Sequence, residues 1–245
     1  MVNSERIELT SNQKELADLL ISTKIEAKVR RRRFNNIDGS YEFYDIIRPT
    51  SPFDVPQDPG EFVLKLHEKK PDASLSPYYI NLRNLPGTLL TKVAETIAES
   101  LGSNIPELCT GIPSAGTPIA QVFSEVTGIP VVEIFGKGQS DSGRKIIAAE
   151  NAPESVYSRL LIIDDLITEA DTKFEAIQAA ESLGYKLAGV AVLIDREQGG
   201  AKQLEARGYP LHAALKITKL LDYYLESSQI TQKVFSSIQT YRLNQ

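Results

Sequence analysis

The sequence is short of the residues that build covalent and metal-bound frameworks. Among its 245 residues there are one cysteine, Cys109, and two histidines, and there is no tryptophan. A single cysteine excludes an internal disulfide and is typical of a protein in a reducing compartment. So few thiols and imidazoles provide too few ligands for a Cys/His zinc site.

Long apolar runs are also missing. No segment approaches the roughly 18 apolar residues that a membrane span needs, and the stretch MVNSERIELTSNQKEL at the N-terminus lacks the apolar segment of a signal peptide. The net charge of −5 argues against general binding to nucleic acid. With 42% hydrophobic and 24% charged residues, the composition is that of an ordinary globular protein, and we expect it in the cytoplasm.

The first 60 residues divide into a helical part and a loop-like part. Residues 12–29 carry apolar side chains at helical spacing, with Asn12 as the candidate N-cap. The basic run KVRRRRF, residues 28–34, could contact phosphate or an acidic partner, but a solvated helix end is the simpler interpretation. Residues 30–60 are rich in Asn, Asp, Pro and Gly, which indicates an ordered insertion or arm with much loop structure.

After residue 85, helical and strand-like segments alternate. The pattern predicts helices at 88–101, 115–127, 171–183, 200–207, 218–226 and 229–241, and strands at ELCTGI, PVVEIF, RLLIIDDLI, LAGVAVLID and PLHAALKI. This alternation indicates an α/β protein with a parallel sheet covered by helices on both faces. Because such sheets bind ligands beyond the C-terminal ends of their strands, the loops there form the candidate site.

Two of these loops have the composition of anion sites. In GIPSAGTPIA, residues 111–120, Gly111, Ser114 and Gly116 precede a helix N-terminus, where backbone amides and the helix dipole attract phosphate. An ordinary strand-to-helix turn has the same composition. The loop IFGKGQSDSGRK, residues 134–145, is glycine-rich and cationic. It could close over an anionic substrate, or it could be a plain flexible surface loop.

Charged side chains follow two other strands. Asp164 and Asp165 end the apolar run RLLIID, so they need a cation or hydroxyl donors to offset their electrostatic cost. A ribose diol, often with Mg²⁺, supplies both, whereas a plain helix cap would need only one acid. Arg196, in LIDREQGG, can pair bidentately with a ligand carboxylate or form a salt bridge with Asp195 or Glu197.

Taken together, the four loops resemble those of type I phosphoribosyltransferases, and more narrowly of the orotate phosphoribosyltransferases. The resemblance spans about residues 60–225. GEFVLKL and SPYYINLR resemble the substrate-side segment, GIPSAGTPIA the pyrophosphate loop, LLIIDDLIT the ribose-phosphate signature, and VLIDREQGGAKQLEARGYPLHAALKITKLLD the C-terminal strand pair. It implies a phosphoribosyltransferase core at 61–245, with residues 1–60 forming a helix and an inserted arm of a small N-terminal hood.

The resemblance also implies an activity. Family members are glycosyltransferases of pyrimidine biosynthesis: as homodimers, they transfer ribose 5-phosphate from phosphoribosyl pyrophosphate to orotate with Mg²⁺. By position, Asp164 and Asp165 would hold the ribose hydroxyls and Mg²⁺ with the substrate, and Lys137 would lie on the catalytic loop. Phosphate or pyrophosphate would be bound by Thr168, Thr172, Gly111, Ser114, Gly116 and Lys65, and the base by Tyr79, Ile80 and Arg196.

Two departures from the family pattern fall on the chemistry. Glu169 and Asp171 replace small residues of the phosphate turn, where each charge at about 4 Å from a phosphate costs around 4 kcal/mol at an effective dielectric constant of 20. Either Asp171 caps the following helix and fills the anion site, or Glu169 points to solvent. In the catalytic loop, Gly136, Ser140 and Ser142 replace an arginine, a lysine and a histidine, and losing one such donor commonly costs ~10²–10³ in rate.

Three functions remain open from these residues. The first is an orotate phosphoribosyltransferase with an unusual loop. The second is a relative that keeps the fold but has lost catalysis, and that binds a nucleotide or a protein partner as a regulator or structural subunit. The third is a transferase for another base, which rests only on the altered substrate side at 66–75 and 30–60.

Overall fold

The computed structural model describes residues 8–55, 62–64, 66–140, 143–155 and 158–244. The chain folds into two compact units. The core unit comprises the residues up to Leu16 together with Pro86–Leu220, and the small unit comprises Ala17–Leu85 together with Leu221–Gln245. The domain boundary expected after residue 60 stays a prediction.

The core unit is built on a four-stranded parallel sheet in the order β10-β9-β8-β5. Its strands are β5 (Leu108–Gly111), β8 (Arg159–Ile167), β9 (Lys186–Asp195) and β10 (Leu211–Lys216). All residues of 160–163 and 190–194 are buried, as expected for central strands covered on both faces. The predicted α/β fold class is therefore confirmed.

Helices flank this sheet close to where the sequence predicts them. They are α3 (Gly87–Leu101), α4 (Gly116–Thr127), α5 (Asp171–Ser182) and α6 (Gly200–Glu205). α3 packs against α4 and β10, α4 against β5 and β8, and α5 against β9. Gly184 follows α5 at φ +85°, a backbone conformation that suits glycine at a helix end.

Two predicted elements of the core unit are wrong. In PVVEIF, Val131 makes an isolated parallel bridge with Cys109, and only the last residue, Phe135, belongs to a strand. The predicted loop 136–144 is an antiparallel ribbon of β6 (Phe135–Ser140) and β7 (Gly143–Ala148). Glycine adopts extended backbone as readily as loop backbone, so composition alone misled the prediction.

The first helix is shorter than predicted and has a different cap. α1 covers Ser11–Ser22. Thr10, not Asn12, lies at its start: the Gln13 N–H donates to Thr10 Oγ1 at 3.3 Å, and the Thr10 N–H donates to Gln13 Oε1 at 3.0 Å. This reciprocal arrangement is a capping box, which satisfies two backbone donors that the helix leaves without partners.

The basic run lies in a strand of the small unit, not at a helix end. β1 (Ile25–Phe34) pairs along its whole length with antiparallel β2 (Tyr41–Thr50). Apolar residues at the start of β1 alternate with polar ones, a period of two that fits a strand and not the predicted helix end. Arg30 pairs with Asp45 at 3.1 Å and also with Glu68, so this part of the arm is ordered as a ribbon.

The rest of the small unit is built around aromatic side chains. It includes β3 (Phe53–Asp54), β4 (Tyr79–Ile80), α2 (Leu66–Lys69) and α8 (Gln232–Leu243), while α7 spans Ile217–Glu226. The ring centroid of Phe53 lies 5.9 Å from that of Tyr78 and 5.2 Å from that of Tyr224. In the part of the chain that the structure describes, no helix has the length and apolar character needed to cross a membrane.

Candidate phosphoribosyl site

The two carboxylates predicted to bind ribose lie near the C-terminal end of β8. Asp164 is buried and Asp165 is half-buried. Asp164 Oδ1 accepts the Asp165 N–H at 2.9 Å, and Asp165 Oδ1 accepts the Leu166 N–H at 2.8 Å. Burial, and then the neighbouring charge of Asp164, raise the pKa of Asp165 to about 6. The raised pKa of Asp165 reflects the free-energy cost of ionising two adjacent acids at this strand end.

A lysine that we did not predict compensates this pair. The Lys173 Nζ lies 2.6 Å from Asp164 Oδ2 and 2.7 Å from the Leu166 carbonyl oxygen. The two charged side chains are 7% and 9% exposed, so this is a buried ion pair. The sequence held a signal for it, because Lys173 shares the buried face of α5 with Ala176 and Ile177, where an apolar residue is expected.

Asp164 does not fit a directly bound metal ion in this geometry. Its Oδ2 contacts an ammonium group, and its Oδ1 accepts a backbone N–H. Over the described ranges, no three or more His, Cys, Asp and Glu side chains group together as metal ligands. The binding of Mg²⁺ by Asp164 and Asp165 together with the substrate stays a prediction, and Lys173 occupies one oxygen of Asp164 in this structure.

Two glycines bring the predicted pyrophosphate loop against the acidic pair. A Cβ on Gly111 would lie 2.4 Å from the Gly116 carbonyl oxygen. A Cβ on Gly116 would lie 2.3 Å from the Ile163 carbonyl oxygen and 3.1 Å from the Asp164 Cα. The start of α4 therefore abuts the backbone of β8 at Ile163 and Asp164, near the strand end where helix N-termini commonly bind anions.

The loop leading into α4 is partly open. A cavity of about 110 Å³ beside it is lined by Gly111, Pro113 and Thr117, among others. Ser114 is exposed and follows a cis peptide bond. The structure thus packs Gly111 against Gly116, and Gly116 against the backbone of Asp164, and it leaves the Ser114 side chain towards solvent.

The predicted phosphate turn, residues 168–172, is held in place by α6. The Gly200 N–H donates to the Thr168 carbonyl oxygen at 2.9 Å, and the Ala170 N–H donates to Gln203 Oε1 at 2.9 Å. A Cβ on Gly200 would lie 2.7 Å from the Thr168 carbonyl oxygen, so only glycine permits this approach. The Gln203 side chain therefore already binds the Ala170 N–H, one of the backbone donors of the turn.

The two acids of this turn reach solvent. Glu169, Asp171 and Thr172 are exposed, and Thr168 is half-buried. α5 begins at Asp171, and its N-cap is Ala170, which makes no side-chain capping hydrogen bond. The hypothesis that Asp171 caps the helix and fills the anion site is therefore wrong. The alternative, with Glu169 pointing to solvent, agrees with the structure.

The predicted catalytic lysine lies in the β6–β7 ribbon. Lys137 is exposed and pairs in register with Ile146. The Ile146 N–H donates to Glu175 Oε2 at 2.9 Å, which ties the ribbon to α5. Lys65 and residues 141–142 lie outside the described residues.

The residues predicted to bind the base belong to both units. Tyr79 and Ile80 form β4 of the small unit, and the Tyr79 ring stacks on Phe62 with centroids 5.4 Å apart. Burial raises the pKa of the Tyr79 hydroxyl. Arg196 follows β9 in the core unit, and its backbone N–H donates to the Ile167 carbonyl oxygen at 3.0 Å. It therefore lies beside the ends of β8 and β9, where a parallel sheet presents its ligand site.

Comparison with known proteins identifies the family of this chain. The orotate phosphoribosyltransferase of Pyrobaculum islandicum is 32% identical over 151 residues, which make up 60% of this chain and 76% of that relative. This chain belongs to the orotate phosphoribosyltransferase family. Uridine 5′-monophosphate synthase of Bos taurus is 30% identical over 189 residues, or 74% of this chain. This family member spans only 37% of that longer relative.

The structural comparison agrees on the fold. The structure of Leishmania donovani UMP synthase matches with a TM-score of 0.64 and 24% identity, over 95% of this chain and 42% of that one. At this identity the likeness shows that the two share the phosphoribosyltransferase fold. No family model matches the chain.

Proposed function

We propose that the protein is an orotate phosphoribosyltransferase of low activity, which binds phosphoribosyl pyrophosphate and orotate and transfers ribose 5-phosphate between them slowly. One observation carries this proposal beyond family membership. Gly116 brings the N-terminus of α4 against the backbone of Asp164, which supports a site where this helix end would bind pyrophosphate and the carboxylate would bind ribose.

Each predicted site residue keeps a role in this proposal. Asp164 and Asp165 hold the ribose hydroxyls, and Arg196 takes the orotate carboxylate. Other expected contacts are with pyrophosphate by Gly111, Ser114, Gly116 and Lys65, with the 5-phosphate by Thr168 and Thr172, and with the base by Tyr79 and Ile80. Mg²⁺, which the family resemblance implies, would have to arrive with the substrate because Lys173 occupies Asp164.

Low activity is proposed from the catalytic loop and the phosphate turn. Lys137 is the one family cation of the loop that the best alignment retains, and it is exposed. Cations there would stabilise charge that builds up on the departing pyrophosphate, so their loss lowers the rate of the chemical step. In the turn, the Ala170 N–H is already used by Gln203. Both features weaken phosphate contacts without removing the ribose-binding pair.

The test is a turnover assay with the purified chain. Pyrophosphate release is followed with phosphoribosyl pyrophosphate, Mg²⁺ and orotate at high protein concentration. The proposal expects release that depends on orotate and is far slower than the roughly 10 s⁻¹ of a median enzyme. No release above the background without protein would reject it, and release with another base in place of orotate would indicate a different acceptor.

A second candidate is a catalytically inactive regulator or structural protein. The exposed Glu169 and Asp171 favour it, because both acids repel a bound phosphate. Calorimetric titration with phosphoribosyl pyrophosphate and Mg²⁺ separates the two. Binding in the micromolar range together with slow turnover supports the enzyme, and binding without turnover supports the regulator. We expect a homodimer from the family resemblance, which sedimentation velocity would test.

A further inference from the structure

The Lys173–Asp164 ion pair has a consequence for the metal requirement of the site. An ammonium group has three N–H donors, and Lys173 uses two of them on Asp164 Oδ2 and on the Leu166 carbonyl oxygen. A Mg²⁺ ion at Asp164 would have to displace this ammonium and also shed some of its own tightly held water. Since both charged side chains are buried, the displaced charge would lose its compensation.

The position of Lys173 is fixed by the fold, not by a flexible surface arm. Its backbone lies in the first turn of α5, and the residue is 5% exposed on the helix face that also buries Ala176 and Ile177. Asp164 is held from the other side by the start of α4, because Gly116 leaves room for only a hydrogen atom there. The cation and the carboxylate are thus brought together by two helices and a central strand.

We infer that Lys173 is a built-in counter-ion that closes Asp164 to divalent metal and allows the acidic pair to hold a ribose without a directly bound metal ion. Lys173 is on this view a positioning residue, because it acts through Asp164. The first part of the inference concerns the free protein alone. The second part rests on the proposed function, since it requires a nucleotide to bind.

The first part is tested with Mn²⁺, a paramagnetic substitute for Mg²⁺, titrated into the full chain and followed by electron paramagnetic resonance. We compare the wild type with Lys173→Met, with Lys173→Met/Asp164→Asn, and with Lys186→Met. Lys186 is an exposed residue at the opposite end of β9 and is the matched control. Circular dichroism verifies that each variant is folded.

We expect K173M to bind Mn²⁺ at least about tenfold more tightly than the wild type and K186M. The added Asp164→Asn change should abolish this gain. A folded K173M without the gain overturns the inference. If K173M does not fold, the wild type decides: saturable Mn²⁺ binding that Asp164→Asn removes overturns the inference, and its absence supports it.

The second part is tested by calorimetry with orotidine 5′-monophosphate, in EDTA and in Mg²⁺. The wild type should bind with a Kd that differs less than about twofold between the two conditions, whereas K173M should lose about tenfold in EDTA and recover in Mg²⁺. A wild type that binds only with Mg²⁺ overturns this part. Binding in neither condition overturns the proposed function, and the Mn²⁺ titration still decides the role of Lys173.

Discussion

The ε-ammonium of Lys173 lies 2.6 Å from Oδ2 of Asp164, nine residues earlier in the chain. This ion pair closes one side of the turn that joins β8 to α5, and the Gln203 side chain holds the turn from α6. The predicted phosphate turn is therefore stabilised by contacts within the protein. A ligand that enters it meets a site that is already ordered, with part of its hydrogen-bonding capacity used.

The first prediction concerns the energy of this ion pair. Lys173→Met leaves the Asp164 carboxylate buried without its cation, so the free energy of unfolding should fall by about 3–5 kcal/mol. Adding Asp164→Asn removes the stranded charge and should recover most of the loss. Urea unfolding of the wild type, both single variants and the double variant in EDTA measures the coupling free energy.

Lys186→Met supplies the control for this cycle. Lys186 is exposed, so the same substitution there should lower the free energy of unfolding by no more than about 1 kcal/mol, the upper value for a contact of an exposed charge. If Lys173→Met proved as stable as the control, the ion pair would contribute nothing, and the turn would be held by the Gln203 contact alone.

The sheet and its helices could be predicted because their patterns are strong and local. β8 and β9 are nearly continuous apolar runs, and α3 and α4 bury residues at the 3.6-residue helical spacing. The candidate site residues at the strand ends could be predicted because parallel sheets bind ligands at the C-terminal ends of their strands. Asp164, Asp165 and Arg196 could therefore be placed at one edge from the sequence alone.

The ribbons and Lys173 could not be predicted in this way. Pairing in β1–β2 and β6–β7 depends on contacts across a turn, and the Gly and Asn residues in these segments also suit loops. The Lys173 contact depends on how α5 is rotated against β8, which sequence spacing does not fix. A lysine on an apolar helix face was the available signal, and it indicates burial without naming the partner.

The second prediction concerns the close approach of α4 to β8. Gly116→Ala should destabilise the core unit by about 2–3 kcal/mol, because the new Cβ would lie 2.3 Å from a backbone oxygen. Gly87→Ala is the matched control, since nothing lies within 4 Å of a Cβ there. That change should be neutral or stabilise α3 by up to about 1 kcal/mol. Equal melting temperatures for the two variants would contradict the account of Gly116.

The third prediction concerns the acids of the phosphate turn. Glu169→Gln/Asp171→Asn removes two exposed charges and keeps the side-chain shapes, so inorganic phosphate should bind more tightly. At about 4 Å in water each charge costs about 1 kcal/mol, which gives a gain of roughly five- to thirtyfold in affinity. Isothermal titration at low and high salt measures it, and the gain should shrink with salt.

Two further variants identify the cause of any change in phosphate affinity at this turn. Glu125→Gln removes an exposed acid near the end of α4 and should leave phosphate affinity unchanged. Glu169→Gly/Asp171→Gly should give at least the gain of the isosteric pair, because glycine also frees the backbone. Unchanged affinity in both pairs would show that repulsion is not the obstacle and would leave the occupied Ala170 N–H or the catalytic loop as the cause.

The fourth prediction uses Cys109 as a reporter of opening in the core unit. Its side chain is fully buried, and burial raises the pKa of its thiol to about 12 from an ordinary 9.0. Because the thiolate is the reactive form, the native protein should react with a disulfide reagent at pH 8 only as fast as the core unit opens. Complete labelling within seconds would contradict this.

The raised pKa of the Cys109 thiol also makes stability depend on pH. Below pH 9 the thiol is protonated in both the folded and the unfolded protein, and its contribution to the stability of the folded protein is fully present. That stability is lost as the pH rises towards 12, because the unfolded chain ionises first. The wild type should therefore lose about 1.4 kcal/mol per pH unit more than Cys109→Ala between these limits, as measured by urea unfolding.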